Sequence, residues 1–239
     1  MVVDIPTGRG AKVKTIGEAH LLARDFIELG KALDITVRCG ITFGEQPLGY
    51  AVGPALEARE ALETIMGNGA EDLRDKAAEL AGILFGMMGI KDGKRHAEYL
   101  LRSGKAEKKL REIIEAQGGK PDIKPEDISI GEKHAEIISE KDGQVLWINN
   151  HHIAQIAREA GAPKEKGAGV KLRVKLGDRV KKGDVLCEIY SERSTKLEAA
   201  LKLADRLNPF GVGKRWGRQM LMDTVPAETR HPKAFLIER

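Results

Sequence analysis

The sequence predicts a mixed α/β and α+β protein: part of a parallel-sheet α/β domain with a helical segment, then a β-rich, hammerhead-like C-terminal domain. Three observations carry this. A strand, a helix and a second strand open the chain, a helical pattern fills its middle, and alternating apolar runs broken by Gly-Asp turns occupy its last part.

Val2 to Ile5 reads as a short buried strand, and Pro6-Thr7-Gly8-Arg9-Gly10 is expected to end it in a turn. Thr15-Ile16-Gly17-Glu18 has the spacing of a capping box, and Leu21, Leu22, Phe26 and Leu29 then recur on one helical face until Gly30. Ile35 to Ile41 is the second strand. A strand, helix and strand within 41 residues form the building block of a parallel sheet.

From Pro54 to about Gly118 the pattern is helical, with helices expected over Ala55 to Met66, Leu73 to Met88, Lys94 to Arg102 and Ala106 to Gln117. Met87 and Met88 are read as core packing. Gly118 to Pro125 is rich in Gly, Pro and charge, which places a boundary between residues 1–120, α/β with helices, and residues 121–239, β-rich. Beyond it, Ala135 to Ser139 and Val145 to Ile148 flank Lys141-Asp142-Gly143, a hairpin signal. Asn150 to Ala160 is expected to be helical, Gly169 to Glu192 to hold two strands, and Ser194 to Leu207 to form a last helix capped by Ser194 or Thr195.

Composition excludes several function classes. The formal charge of +4 comes from 40 basic and 36 acidic residues mixed along the chain, and Trp147, Trp216 and the few Phe and Tyr are too scattered for a base-stacking surface, so no nucleic-acid partner is expected. No apolar run approaches the roughly 18 residues of a membrane span, and the start lacks a signal-peptide series, so no membrane partner and a cytoplasmic location are expected. Cys39 and Cys187 lie in apolar strand-like runs and read as buried thiols. Adjacent His151 and His152 diverge on a helix and read as helix-start residues.

Three stretches can carry chemistry. In Asp4-Ile5-Pro6-Thr7-Gly8-Arg9-Gly10-Ala11-Lys12, glycines let backbone amides approach an anion, Arg9 and Lys12 add positive charge, and the loop leaves a strand's carboxyl end. A tight turn explains the same glycines. In Gln46 to Glu60, a glycine-rich loop enters a helix, and its carbonyls with a carboxylate one or two turns on could surround a hard cation. Pro54 at a helix start explains that stretch structurally. In Gly177 to Ile189, two Gly-Asp turns around an alternating strand resemble the flattened β-fold of biotinyl and lipoyl carrier domains. Arg193 stands where those carriers have their modified Lys, and a guanidinium is no acylation nucleophile at neutral pH, so the motif reads as architecture.

These pieces, in this order, resemble the thymidine and pyrimidine nucleoside phosphorylase family over nearly the whole chain. The family's Val-x-Asp-x-x-x-Gly-x-Gly-Ala strand-loop is matched by Val2 to Ala11, and its Gln-Pro-Leu-Gly-x-x-x-Gly-x-Ala-Leu-Glu block by Gln46 to Glu57. Lys12 replaces the Phe usual in pyrimidine phosphorylases, which points to the archaeal branch that phosphorolyses AMP to adenine and ribose 1,5-bisphosphate.

The resemblance implies catalytic roles for Lys12 and Asp4, and substrate contacts from Thr7, Gly8, Arg9 and Gly10. It implies no required cofactor, and a possible monovalent cation or calcium held by Leu48, Ala51 and Glu60. Nucleoside monophosphate and phosphate are the implied substrates, with a homo-oligomer, commonly a dimer, as the assembly. The family's phosphate-loop and base-gripping residues precede the matched strand-loop, so the chain is expected to be a fragment of a longer enzyme, through truncation, an internal start or a split gene, inactive alone, with a separate N-terminal half as one partner that could complete it. A non-catalytic binding or regulatory module, a pyrimidine phosphorylase part, and a carrier domain are the competing readings.

Overall fold

The computed structural model describes residues 1–214, so Trp216 and the end of the expected second domain lie outside the described residues. Strand β1 (Val2–Thr7) and strand β2 (Arg38–Phe43) pair in parallel, with Thr7 opposite Phe43. The strand thus runs on through Pro6 and Thr7, past the expected turn, because proline can sit in a strand whose N–H side has no partner to serve. Helix α1 (Ile16–Ala32) crosses between them, and its capping box is complete: Thr15 Oγ1 accepts the Glu18 N–H and Glu18 accepts the Thr15 N–H.

The buried side of α1 differs from the expected leucine face. Ala19, Ala23 and Phe26 pack with Ile5, Val3, Cys39 and Ile41, while Leu21, Leu22 and Leu29 lie outward. Small residues sit inward because the helix lies close on the pair of strands, as it does at Gly30, where a Cβ would come within 2.4 Å of Val37. The opposite side of the sheet is covered by α3 (Glu71–Met87), with Leu80 and Ile83 against Gly40. Met88, expected in the core, is 71% exposed at the helix end.

Helices α2 (Pro54–Ile65), α4 (Gly93–Arg102) and α5 (Lys105–Ala116) complete the helical segment. Their bounds follow the expected ones within two residues, since Gly and Pro fix the breaks.

The β-rich lobe contains two antiparallel sheets. In the first, β3 (Ala51–Val52), β6 (Gly169–Leu172), β8 (Val185–Ser191) and β4 (Lys133–Ile138) lie in that order. In the second, β5 (Gly143–Ile148) lies between β7 (Arg179–Val180) and β9 (Phe210–Gly213). The expected hairpin between β4 and β5 is not formed: β4 pairs with β8 and β5 with β7 and β9. The chain crosses between the sheets at Ser139, whose N–H bonds Asp184 O at 2.8 Å and whose O accepts the Gly183 N–H at 2.8 Å.

Helices α6 (Asn150–Glu159) and α7 (Ser194–Leu207) enclose a core of Ile153, Ile156, Val170, Leu172, Cys187, Ile189 and Ala200. The N-cap of α7 is Arg193, ahead of the expected Ser194 or Thr195, and it makes no side-chain cap bond. Arg193 instead pairs with Glu165 at 2.9 Å.

Strand β3 precedes the expected boundary near residue 120, yet it hydrogen-bonds to β6 in the sheet of the β-rich part. Proximity in space follows the pairing rather than the Gly/Pro-rich stretch.

Candidate functional site

Parallel strands place their following loops side by side at their carboxyl ends, the usual position of ligands in α/β folds. Here those loops are Thr7 to Val13 after β1 and Gly44 to Tyr50 after β2. The Gly44 N–H bonds Thr7 O at 2.8 Å, and Arg9 Nε reaches Glu45 Oε2 at 2.9 Å.

The first loop is closed by its own backbone, with the Gly8 N–H on Val13 O and the Ala11 N–H on Gly8 O, each at 3.0 Å. Lys14, passed over in the sequence, donates from Nζ to Arg9 O at 3.0 Å and Ala11 O at 2.6 Å. Gly8 has φ +154, and a Cβ there would meet Glu45 N at 2.8 Å.

The β-rich lobe contributes Asn150, the first residue of α6. Its Nδ2 donates to Gly44 O at 3.1 Å, while its buried Oδ1 has no partner among the described residues. A Cβ on Gly10 would stand 2.4 Å from Asn150 Nδ2. Read from sequence alone, Asn150 is only a helix start, because its target is 106 residues away.

The expected site residues divide into two groups. Lys12 is exposed and makes no hydrogen bond or ion pair among the described residues, and the exposed Arg9 side chain pairs with Glu45. Asp4 is engaged on both oxygens, by Thr42 Oγ1 at 2.6 Å and by Lys76 Nζ at 2.7 Å, and Thr7 Oγ1 bonds Ile5 O at 3.1 Å. Asp4 therefore anchors α3 to the sheet, whereas Lys12 and Arg9 lie exposed on the loop, with Gly10 half-buried and Gly8 buried between them and the second loop.

In the second loop, Glu60 on α2 accepts N–H groups from Tyr50 at 2.7 Å and Ala51 at 3.1 Å. Gly49, at φ +65, leaves room for that carboxylate: a Cβ would lie 2.2 Å from Glu60 Oε2. Lys175, also missed in the sequence, bonds Pro47 O at 2.9 Å, Gly49 O, and Asp72 Oδ2 at 2.7 Å. Burial and then the charges of Asp178, Asp72, Glu60 and Glu71 push the Tyr50 hydroxyl above its ordinary range.

At the position of the cation expected at Leu48, Ala51 and Glu60, the Glu60 carboxylate already receives the Tyr50 and Ala51 amides. Among the described residues, no group of three or more His, Cys, Asp or Glu side chains could hold a metal ion.

The loops and the two-sheet lobe match one family. The pyrimidine nucleoside phosphorylase C-terminal domain is matched by residues 145–210. Over 216 residues, 89% of this chain, the sequence is 55% identical to an AMP phosphorylase of Pyrococcus horikoshii, covering 43% of that protein. Over all 239 residues it is 47% identical to an AMP phosphorylase of Thermofilum pendens, covering 46% of it. Most of the chain is thus similar to the thymidine and pyrimidine nucleoside phosphorylase family. An Archaeoglobus fulgidus relative at 47% identity, AMP phosphorylase 1, is matched over 89% of this chain and 42% of its own length. The chain thus spans less than half the length of these phosphorylase-family relatives.

Proposed function

We propose that this chain provides one part of an enzyme that phosphorolyses nucleoside 5′-monophosphates, AMP plus phosphate giving adenine and ribose 1,5-bisphosphate. The observation that carries the reading is the 47–55% identity to proteins named AMP phosphorylase across 89–100% of the chain. The loop that exposes Arg9 and Lys12 supports it. Breaking the N-glycosidic bond builds positive charge on the sugar and negative charge on the departing base, so a cationic group beside the base lowers the barrier.

In this reading Lys12 supplies the proton or hydrogen bond to adenine. Arg9 presents charge to the substrate, Thr7, Gly8 and Gly10 shape the loop that carries it, and Asp4 acts indirectly by fixing the strand below them. A monovalent cation or calcium at Leu48, Ala51 and Glu60 would bind weakly to this chain alone, and no step depends on it.

The remaining portion of the enzyme, supplied by a separate or joined N-terminal half, would cover the two-stranded parallel sheet. That sheet has two open edges among the described residues, an arrangement that leaves backbone groups unpaired. The outward Leu21, Leu22 and Leu29 of α1 offer apolar surface for it or for a homo-oligomeric contact, a dimer in the simplest case. Unpaired Cys39 and Cys187 and a nucleotide substrate fit a cytoplasmic salvage role.

The test is adenine release from AMP plus phosphate, measured by chromatography. This chain alone should release none, and the chain joined to the complementary portion of a relative should be active. Robust turnover by the isolated chain, or a joined protein active on thymidine but not AMP, would refute the reading.

A further inference from the structure

The loop from Gln46 to Tyr50 turns two carbonyls, those of Pro47 and Gly49, toward one ammonium. Lys175 sits between β6 and β7 with its side chain 12% exposed. Its three N–H donors match three acceptors: Pro47 O, Gly49 O and Asp72 Oδ2. The same Asp72 oxygen accepts the Gly49 N–H at 3.2 Å, and the ammonium lies 4.7 Å from the centre of the Tyr50 ring. Flanking bonds run between the same two segments, from the Leu176 N–H to Gln46 Oε1 and from the Leu172 N–H to Tyr50 O, both at 2.7 Å.

We propose that Lys175 is the tethered cation of this loop, a positioning residue through which the β-rich lobe fixes the second loop of the candidate site. Carbonyls gathered at one partly buried point need positive charge nearby. A metal ion could supply it, but Lys175 does so without recruitment from solvent. Its compact, point-like charge suits three convergent oxygens better than a planar guanidinium would. Glu60 serves the other half of the loop by accepting the Tyr50 and Ala51 amides. The loop's carbonyls and amides are thus held by two oppositely charged side chains, Glu60 on α2 and Lys175 in the β-rich lobe.

A comparison inside the molecule supports the assignment. The turn Val174-Lys175-Leu176-Gly177-Asp178 is followed by Val180-Lys181-Lys182-Gly183-Asp184, and each Asp accepts the N–H of its Lys, at 2.7 and 2.8 Å. The turns are equivalent, yet Lys181 is exposed while Lys175 reaches the loop. Turn chemistry alone therefore does not account for the placement of Lys175.

The proposal concerns loop order and stands apart from the AMP reading, so either can fail without the other. It is tested by amide hydrogen exchange on the full chain. Lys175→Met should speed exchange at Gly49, Tyr50 and Ala51 by at least about tenfold while β8 amides keep their rates, since loss is confined to the loop. Lys181→Met should change neither. In Lys175→Ala, methylammonium should restore protection, and tetramethylammonium, which has no N–H donor, should not.

In the unaltered chain, nuclear magnetic resonance should show Lys175 Nζ coupled across hydrogen bonds to the Pro47 and Gly49 carbonyl carbons, a readout that holds even if a variant fails to fold. Loop exchange within about twofold of the parent in Lys175→Met, or absence of both couplings, would overturn the proposal.

Discussion

Gly10 and Asn150 meet so closely that neither can be changed without the other noticing. A methyl on Gly10 would face Nδ2, Cγ and Cβ of Asn150 at 2.4, 2.6 and 2.9 Å, and the last of these cannot swing away. Gly10→Ala should therefore destabilise the chain by about 1–3 kcal/mol in urea unfolding. Adding Asn150→Ala should recover part of that loss in a double-mutant cycle, and simple additivity would show that the contact is not the cause. Lys12 is different, being exposed and uncommitted. In a joined, active enzyme, Lys12→Met should lower the rate on AMP by about 100-fold, within the range for a general acid, with a much smaller effect on KM. Unchanged turnover would remove Lys12 as the acid. Asp4, with both oxygens occupied by Thr42 and Lys76, would not replace it.

At the scale of elements, α1 shows how a local signal and a tertiary one separate. Its start is set by Thr15 and Glu18 within four residues, and Thr15→Ala should cost about 1 kcal/mol, seen as a lower thermal midpoint. A cost near zero would mean that water replaces the cap. Its orientation is set elsewhere: the sheet accepts Ala19 and Ala23, so the larger leucines turn outward. The β-rich lobe shows the same separation. Gly177 and Gly183, both at φ +92, mark two turns that the sequence announces, while the choice of partner for β4 and β5 depends on distant strands.

Over the whole molecule, the two lobes are joined through Asn150 to Gly44, Lys175 to Pro47 and Gly49, and β3 to β6. One charged network in the β-rich lobe has a pH signature. Burial works against the Glu188 carboxylate, but the Tyr190 hydroxyl at 2.6 Å and Arg173 outweigh it and hold the carboxyl below its ordinary value of 4.5. A depressed carboxyl binds its proton less readily when folded. Its stabilisation is thus complete above the ordinary value and disappears as pH falls through the lower, folded one. Glu188→Gln should flatten that acid-side fall in stability, measured by urea unfolding across pH 2 to 6, roughly the span over which a carboxylate titrates. An unchanged acid limb would assign it to other carboxylates.

The sequence by itself determined the elements whose cause is local. The helices from α2 to α5, the α1 cap and the paired Gly-Asp turns rest on residues within a few positions of one another. It also carried the ordered motifs by which the family can be named. Only the tertiary structure decided what depends on distant partners: that β3 belongs to the sheet of the β-rich part, that β4 and β5 lie in different sheets, and that α1 buries alanines rather than leucines. The same holds at the candidate site. Glycines, Arg9 and Lys12 were legible because loop chemistry follows composition, whereas Asn150 and Lys175 were not, because each meets its loop across more than 100 residues of chain. Secondary structure answers to neighbours in sequence; packing, charge pairing and the arrangement of a site answer to neighbours in space.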